Sequence, residues 1–291
     1  MLGYLLAALT AATNAASNVA QRRADREQPQ ESSFSRRMIV DLLHRRDWLL
    51  GVSAVIVSFL LQAAALHAGT LAAVQPIVIL ELPMTLVGAS WFLHARMGRR
   101  EWAASTLLTV GVAAVVGGLT PAGGSTEVAA RSWVVALGAS LAGVAALIVA
   151  ALRVGGERRG ALLGAATGVM FGLTAALMDA ATQAMSRGPA ALFSAWTTYA
   201  MAAAGIGAMY LMQNALQSGR LVAAQPGITL LDPVTSILWG TLVFGEQVGN
   251  GGAGIALAAA GAASMVAGAV VLTRSPALAD DQPAGRRNPA A

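Results

Sequence analysis

The sequence has no cysteine and no lysine, and all 19 of its basic residues are arginine. Without cysteine, neither disulfides nor thiolate metal sites can contribute. The three histidines, His44, His67 and His94, are scattered rather than set at metal-ligand spacing, which argues against a metal-hydrolase site. Charged residues make up 11%, against about 25% in an ordinary soluble domain. No G-x-S-x-G elbow is present, and no Gly-rich loop follows a strand pattern, so nothing supports an enzyme or a cofactor. A net charge of +5 and a pI near 10.9 would suggest nucleic acid for a soluble chain. Here the arginines fall between apolar segments, and orientation in a membrane is the simpler explanation.

What is abundant is apolar surface, at 56% of residues. A membrane crossing takes about 20 apolar residues. Nine segments satisfy this, at 2–20, 48–66, 71–93, 102–120, 132–152, 160–182, 191–213, 221–243 and 252–273. Trp48, Trp102 and Trp133 stand at the starts of spans, where an indole suits the interface. The Gly and Ala content fits close helix packing in lipid, although a GC-rich genome produces the same composition. The first segment lacks a positive n-region and is read as a retained helix rather than a signal peptide.

With the N-terminus outside and the C-terminus inside, 17 arginines fall on the cytoplasmic side. Only Arg131 and Arg187 fall outside. The charged 21–47 loop is then cytoplasmic, with Phe34 to Trp48 as a short amphipathic surface helix, and residues 275–291 form a disordered cytoplasmic tail. The expected fold is thus an all-α membrane protein, with residues 1–274 as one polytopic domain.

The chain also repeats itself at an offset of 150 residues. ALHAGTLAAVQPIVILELPMT (Ala65 to Thr85) and ALQSGRLVAAQPGITLLDPVT (Ala215 to Thr235) agree at ten of 21 positions. The register continues through Gly111/Gly261 and Gly118/Gly268. Four spans over about 2–120 match four over about 160–273, and the linker helix at 132–152 has no counterpart. One extra crossing turns the second unit over, giving an inverted 4+1+4 repeat. Paired apolar segments broken by proline at matching positions point to a transporter's binding site.

Polar residues inside the spans are few. Glu81 and Asp232 sit near the centres of the third and eighth spans. An intramembrane carboxylate costs at least ~2.5 kcal/mol, so protonation or a bound cation is expected there. The alternative is a neutral acid hydrogen-bonded between helices for structure. Gln75-Pro76 and Gln225-Pro226 open the same spans, and Pro83 and Pro233 interrupt them. Each mid-span proline frees a carbonyl one turn earlier, at Ile79 and Thr229, and the recurrence favours a cavity over a packing kink. Asn14, Ser17 and Asn18 share one face of the first span, lining the path or joining helices. Asp179 is expected to be a solvated or helix-ending acid, His67 incidental, and Glu246 interfacial, matched by Arg96 in the first half.

The stretches LVAAQPGITLLDPVTSILWGTLVFGE (Leu221 to Glu246), GIALAAAGAASMVAGAVVL (Gly254 to Leu272) and LAAVQPIVILELPMTLVGASWFLHAR (Leu71 to Arg96) resemble the drug/metabolite transporter (EamA-like) superfamily. The layout is closest to the NIPA-type magnesium transporter branch, whose proline Pro76 and Pro226 match, while Glu81 and Asp232 depart from its pattern. The resemblance implies secondary transport of a small solute by alternating access. The acids suggest a cationic or proton-exchanged one. Mg²⁺ transport, with Glu81, Asp232, Gln75 and Gln225 as oxygen ligands, is a narrower alternative. A non-transporting membrane scaffold is another. Expected partners are a small-molecule or ion substrate and the lipid bilayer, without nucleic acid; a homodimer stays open.

Overall fold

The computed structural model describes residues 1–26, 46–92, 98–125, 127–218, 221–247, 249 and 251–273, and the architecture is almost entirely helical. The helices are α1 (Leu2–Arg26), α2 (Arg46–Ala68), α3 (Leu71–Val78), α4 (Glu81–Phe92), α5 (Arg99–Leu119) and α6 (Ala130–Leu152). They continue with α7 (Gly156–Met185), α8 (Pro189–Ser194), α9 (Trp196–Ser218), α10 (Leu221–Leu238), a π turn (Trp239–Val243) and α11 (Gly251–Thr273). Among the described residues no strand forms. One antiparallel bridge joins Ala122 to Gln247 and ties two interhelical loops together.

Among the described residues, five helical segments are long and apolar enough to cross a membrane: Leu71–Gly88, Arg99–Leu119, Ala130–Leu152, Gly156–Met185 and Gly251–Leu272. A shorter apolar stretch is Ser53–Ala68. α1 and α9 carry Thr, Asn and Gln among their alanines, which lowers their apolarity. Large apolar side chains such as Ile56, Leu60, Val110, Val134 and Ile206 lie exposed on the outside of the helices. In water so much exposed apolar surface would be a liability; it suits a membrane-embedded protein.

Some expectations need correction. The span expected at 71–93 stands as a candidate crossing over Leu71–Gly88 but is not one continuous helix, because Ile79 and Leu80 form a turn between α3 and α4. Ile79, whose carbonyl Pro83 was expected to free, instead accepts from the Leu82 N–H at 3.1 Å, so the tighter turn satisfies it. The span expected from 191 begins at Trp196. Pro189 starts the one-turn α8 after Gly188 at φ 109°, and Ala195 is extended. α1 runs on to Arg26, so the 21–47 loop begins as helix. The Phe34–Trp48 surface helix falls mainly on residues outside the described ones, as does the whole 275–291 tail.

Glycine here is a packing device rather than a by-product of composition. Gly164, Gly168 and Gly172 form a stripe on α7 at a spacing of four, and α10 lies against it. A Cβ at Gly168 would fall 2.7 Å from the Gly227 carbonyl, and one at Gly172 would fall 2.6 Å from the Asp232 carbonyl. The facing residue numbers rise together, so α7 and α10 run parallel. Ala7, Ala11 and Ala15 form a similarly spaced buried stripe on α1, which packs on α3 and α4. Small residues let backbones approach where no hydrophobic drive joins helices in lipid.

α5 and α11 meet differently. A Cβ on Gly111 would stand 2.7 Å from the Gly261 carbonyl, and one on Gly261 would stand 2.7 Å from that of Gly111. Gly118 faces Gly254 and Ala258, while Gly268 faces Ala104 and Leu108. As residue numbers rise along α5 they fall along α11, so this pair is antiparallel.

Candidate functional site

Asn14 hydrogen-bonds the Glu81 side chain from α1. Ser58 of α2 donates to Asn14 Oδ1 at 2.5 Å, which leaves the Asn14 amide N–H₂ to serve the carboxylate. The chain Ser58, Asn14, Glu81 therefore links α2, α1 and the start of α4. Glu81 and Asp232 lie within electrostatic reach of each other, although they come from different halves of the sequence. Both are half-buried, and Asp232 Oδ1 has no hydrogen-bond partner.

Of the other residues singled out from the sequence, Gln75 is buried with its amide nitrogen unpartnered, and Pro76, Pro83 and Pro233 are buried. Pro226 is half-buried. The Gln225 side chain lies outside the described ones. Ser17 is buried and bonded, and Asn18 is half-buried on the same face as Asn14. Ser58 escaped the sequence reading because no spacing within its own helix signals a partner 44 residues away.

A second polar group gathers at the end of the molecule where the 121–125 and 244–247 segments meet. Glu246 is buried, and its two oxygens accept the Leu71 and Ala72 N–H groups at 2.7 and 2.9 Å. These amides open α3 and have no earlier carbonyl within the helix, so the carboxylate caps the helix from a distant part of the chain. Burial pushes the Glu246 carboxyl above the usual carboxylate value, and the two amides pull the other way. A Cβ on Gly240 would crowd the Glu246 carboxylate and push it against the hydrogen bonds that hold it.

Two further expectations are corrected here. Asp179 is no solvated acid, being 5% exposed, with Oδ1 unpartnered and a hydrogen bond to Gln183. Trp133 is not an interfacial anchor but buried, 4.9 Å from Trp196, 5.5 Å from Trp239 and 5.8 Å from Phe244 between ring centroids. Trp102 is exposed.

Asp179, Glu246, Trp133, Trp196 and Phe244 all line one vestibule of about 510 Å³, with Glu127 and Arg187 at its mouth. Glu81 and Asp232 do not line it. Replacing Glu246 by alanine should leave two buried N–H groups unmet, at about 1–3 kcal/mol each. The thermal unfolding midpoint should fall clearly for Glu246→Ala and less for Glu246→Gln; an Ala variant as stable as the parent would remove the cap from the stability account.

The chain is 28% identical over 220 residues to an uncharacterized protein of Corynebacterium glutamicum, covering 75% of this chain and 76% of that one. No family model and no solved structure matches it.

Proposed function

We propose that the chain is a secondary transporter that moves a small cationic or proton-exchanged solute through a midplane cavity by alternating access. The observation that carries this reading is the approach of Glu81 and Asp232. Two half-buried carboxylates, one from each half, lie within electrostatic reach of each other, with Asn14 bonded to Glu81 and Ser236 to Asp232. An acid at membrane depth is retained for function more often than for packing. A bound cation or a proton would settle two negative charges within electrostatic reach.

Nine crossings in an inverted 4+1+4 arrangement provide the frame for that cavity. The reciprocal α5–α11 contacts support it, because residues related by the 150-residue offset meet each other in an antiparallel pair. Such exchange is what a two-fold axis through Gly111 and Gly261, lying in the membrane plane, produces. The pairing of α1 with α2 and of α7 with α9, together with the matched Ala and Gly stripes, points the same way.

The test is flux. Uptake and efflux by a deletion strain, and then by proteoliposomes, across organic cations, Mg²⁺ and amino acids should reveal one solute class whose movement responds to a pH gradient or to its own gradient. Absence of flux for every class in both directions would leave a membrane scaffold as the better account. Orientation has its own check. Cysteine introduced at Ser125 should react with an impermeant reagent on intact cells, and cysteine at Ser33 should not. The opposite labelling would invert the topology.

A further inference from the structure

The vestibule is not part of the Glu81–Asp232 pair, and its chemistry is specific. Of its two buried carboxylates, Glu246 already spends both oxygens on the α3 amides. Asp179 keeps Oδ1 free of any partner although it is 5% exposed. A buried, incompletely paired carboxylate is costly unless a cation or proton joins it. Glu246 stands within electrostatic reach of Asp179 and adds negative potential. At the mouth, Arg187 is held by Glu127 at 2.8 Å, which offsets the one arginine among the described lining residues.

Three aromatic residues, Trp133, Trp196 and Phe244, share the wall with Thr70, Ser125, Gln183, Ser186 and Thr197. Trp133 and Trp196 meet edge to face at 86°, and Phe244 lies beside Trp133. A hydrated divalent ion needs about six oxygens in near-octahedral order. Asp179 is the uncommitted one of the two buried carboxylates, a single charge against a divalent ion's two, and the other oxygens of the wall are neutral hydroxyls and amides. Aromatic side chains beside a single anionic group suit a weakly hydrated cation carrying apolar substituents. A volume of about 510 Å³ falls in the range of small-molecule sites, about 300–1,000 Å³.

We infer that the vestibule is a binding site for an organic ammonium ion, with the charge against Asp179 and the substituents against Trp133, Trp196 and Phe244. This deepens the transport reading by naming a solute class. It rests on that reading only for the claim that the bound ion is cargo.

Titrating the full chain in nanodiscs with tetraethylammonium chloride tests the inference, read by tryptophan fluorescence and calorimetry against NaCl and MgCl₂ at matched ionic strength. A saturable response to tetraethylammonium alone is expected. Asp179→Asn should weaken it about tenfold or more, the equivalent of one opposed charge in a poorly solvated site. Trp196→Leu should weaken it about fivefold or more, and Trp196→Phe should stay near the parent, since a ring face is kept. The Trp196 pair decides the question if Asp179→Asn does not fold. No saturable response, an equal response to MgCl₂, or indifference to these changes would overturn the site. Binding without flux would instead remove the transport reading and leave this site standing.

Discussion

Valine at Gly111 or Gly261 should largely abolish recovery of folded protein from the membrane. The α5 and α11 backbones touch at these two residues, and any Cβ there would sit about 2.7 Å from the opposite carbonyl. Ordinary van der Waals contact begins near 3.4 Å. Alanine is the informative step. Overpacking a well-filled contact costs about 1–3 kcal/mol, so Gly111→Ala and Gly261→Ala should each lower the thermal midpoint in mild detergent. Together they should cost less than twice as much, because the displacement that admits one Cβ also makes room for the other. Gly138→Ala and Gly143→Ala, where a Cβ meets nothing within 4 Å, should be neutral or slightly stabilising. If the Gly111 and Gly261 alanines behave like these controls, the close helix approach is wrong.

The second large effect concerns the paired acids. Glu81→Gln with Asp232→Asn nearly preserves shape while removing both titrating groups. Folding and detergent stability should stay close to the parent, and coupled flux should fall by about a hundredfold or more, the scale on which loss of a proton-transfer group is felt. Each single amide should uncouple or slow transport on its own, since the groups are proposed to share one proton or cation. The pattern expected of purely structural acids is the reverse, with normal flux in the double amide and instability in Glu81→Ala or Asp232→Ala. Flux and melting temperature measured on the same preparations separate the two.

The sequence made most helices legible because long apolar runs between arginines have few alternatives. Their ends near Arg46, Arg99, Leu152 and Gly251 fall within a few residues of the expected ones. It also pointed to Asn14, which does reach Glu81. The break after Val78 was less visible. Pro83 signals a disturbance, but whether a helix bends or stops depends on neighbours, and Pro233 sits within an unbroken α10. Asp179 and Trp133 were misjudged, and the burial of Glu246 was missed, for a common reason. Each stands near a span end, where solvent is the default environment. Only contacts across more than fifty positions, such as Glu246 with Leu71 and Trp133 with Trp196, bury them. Gly164, Gly168 and Gly172 were readable as a small-residue stripe, yet a glycine-rich composition hid them among many others.

The self-exchanging contact of α5 with α11 has a thermodynamic corollary for a carrier with inverted halves. If the halves trade conformations between outward-open and inward-open forms, a contact centred on the axis is its own counterpart before and after. It contributes equally to both forms and cannot bias the populations, since only unequal interactions shift such an equilibrium. The resting preference must then come from places where the halves differ: Glu81 against Leu231, Leu82 against Asp232, the interrupted α3–α4 against the continuous α10, and Glu246, whose carboxylate fastens one half to the other.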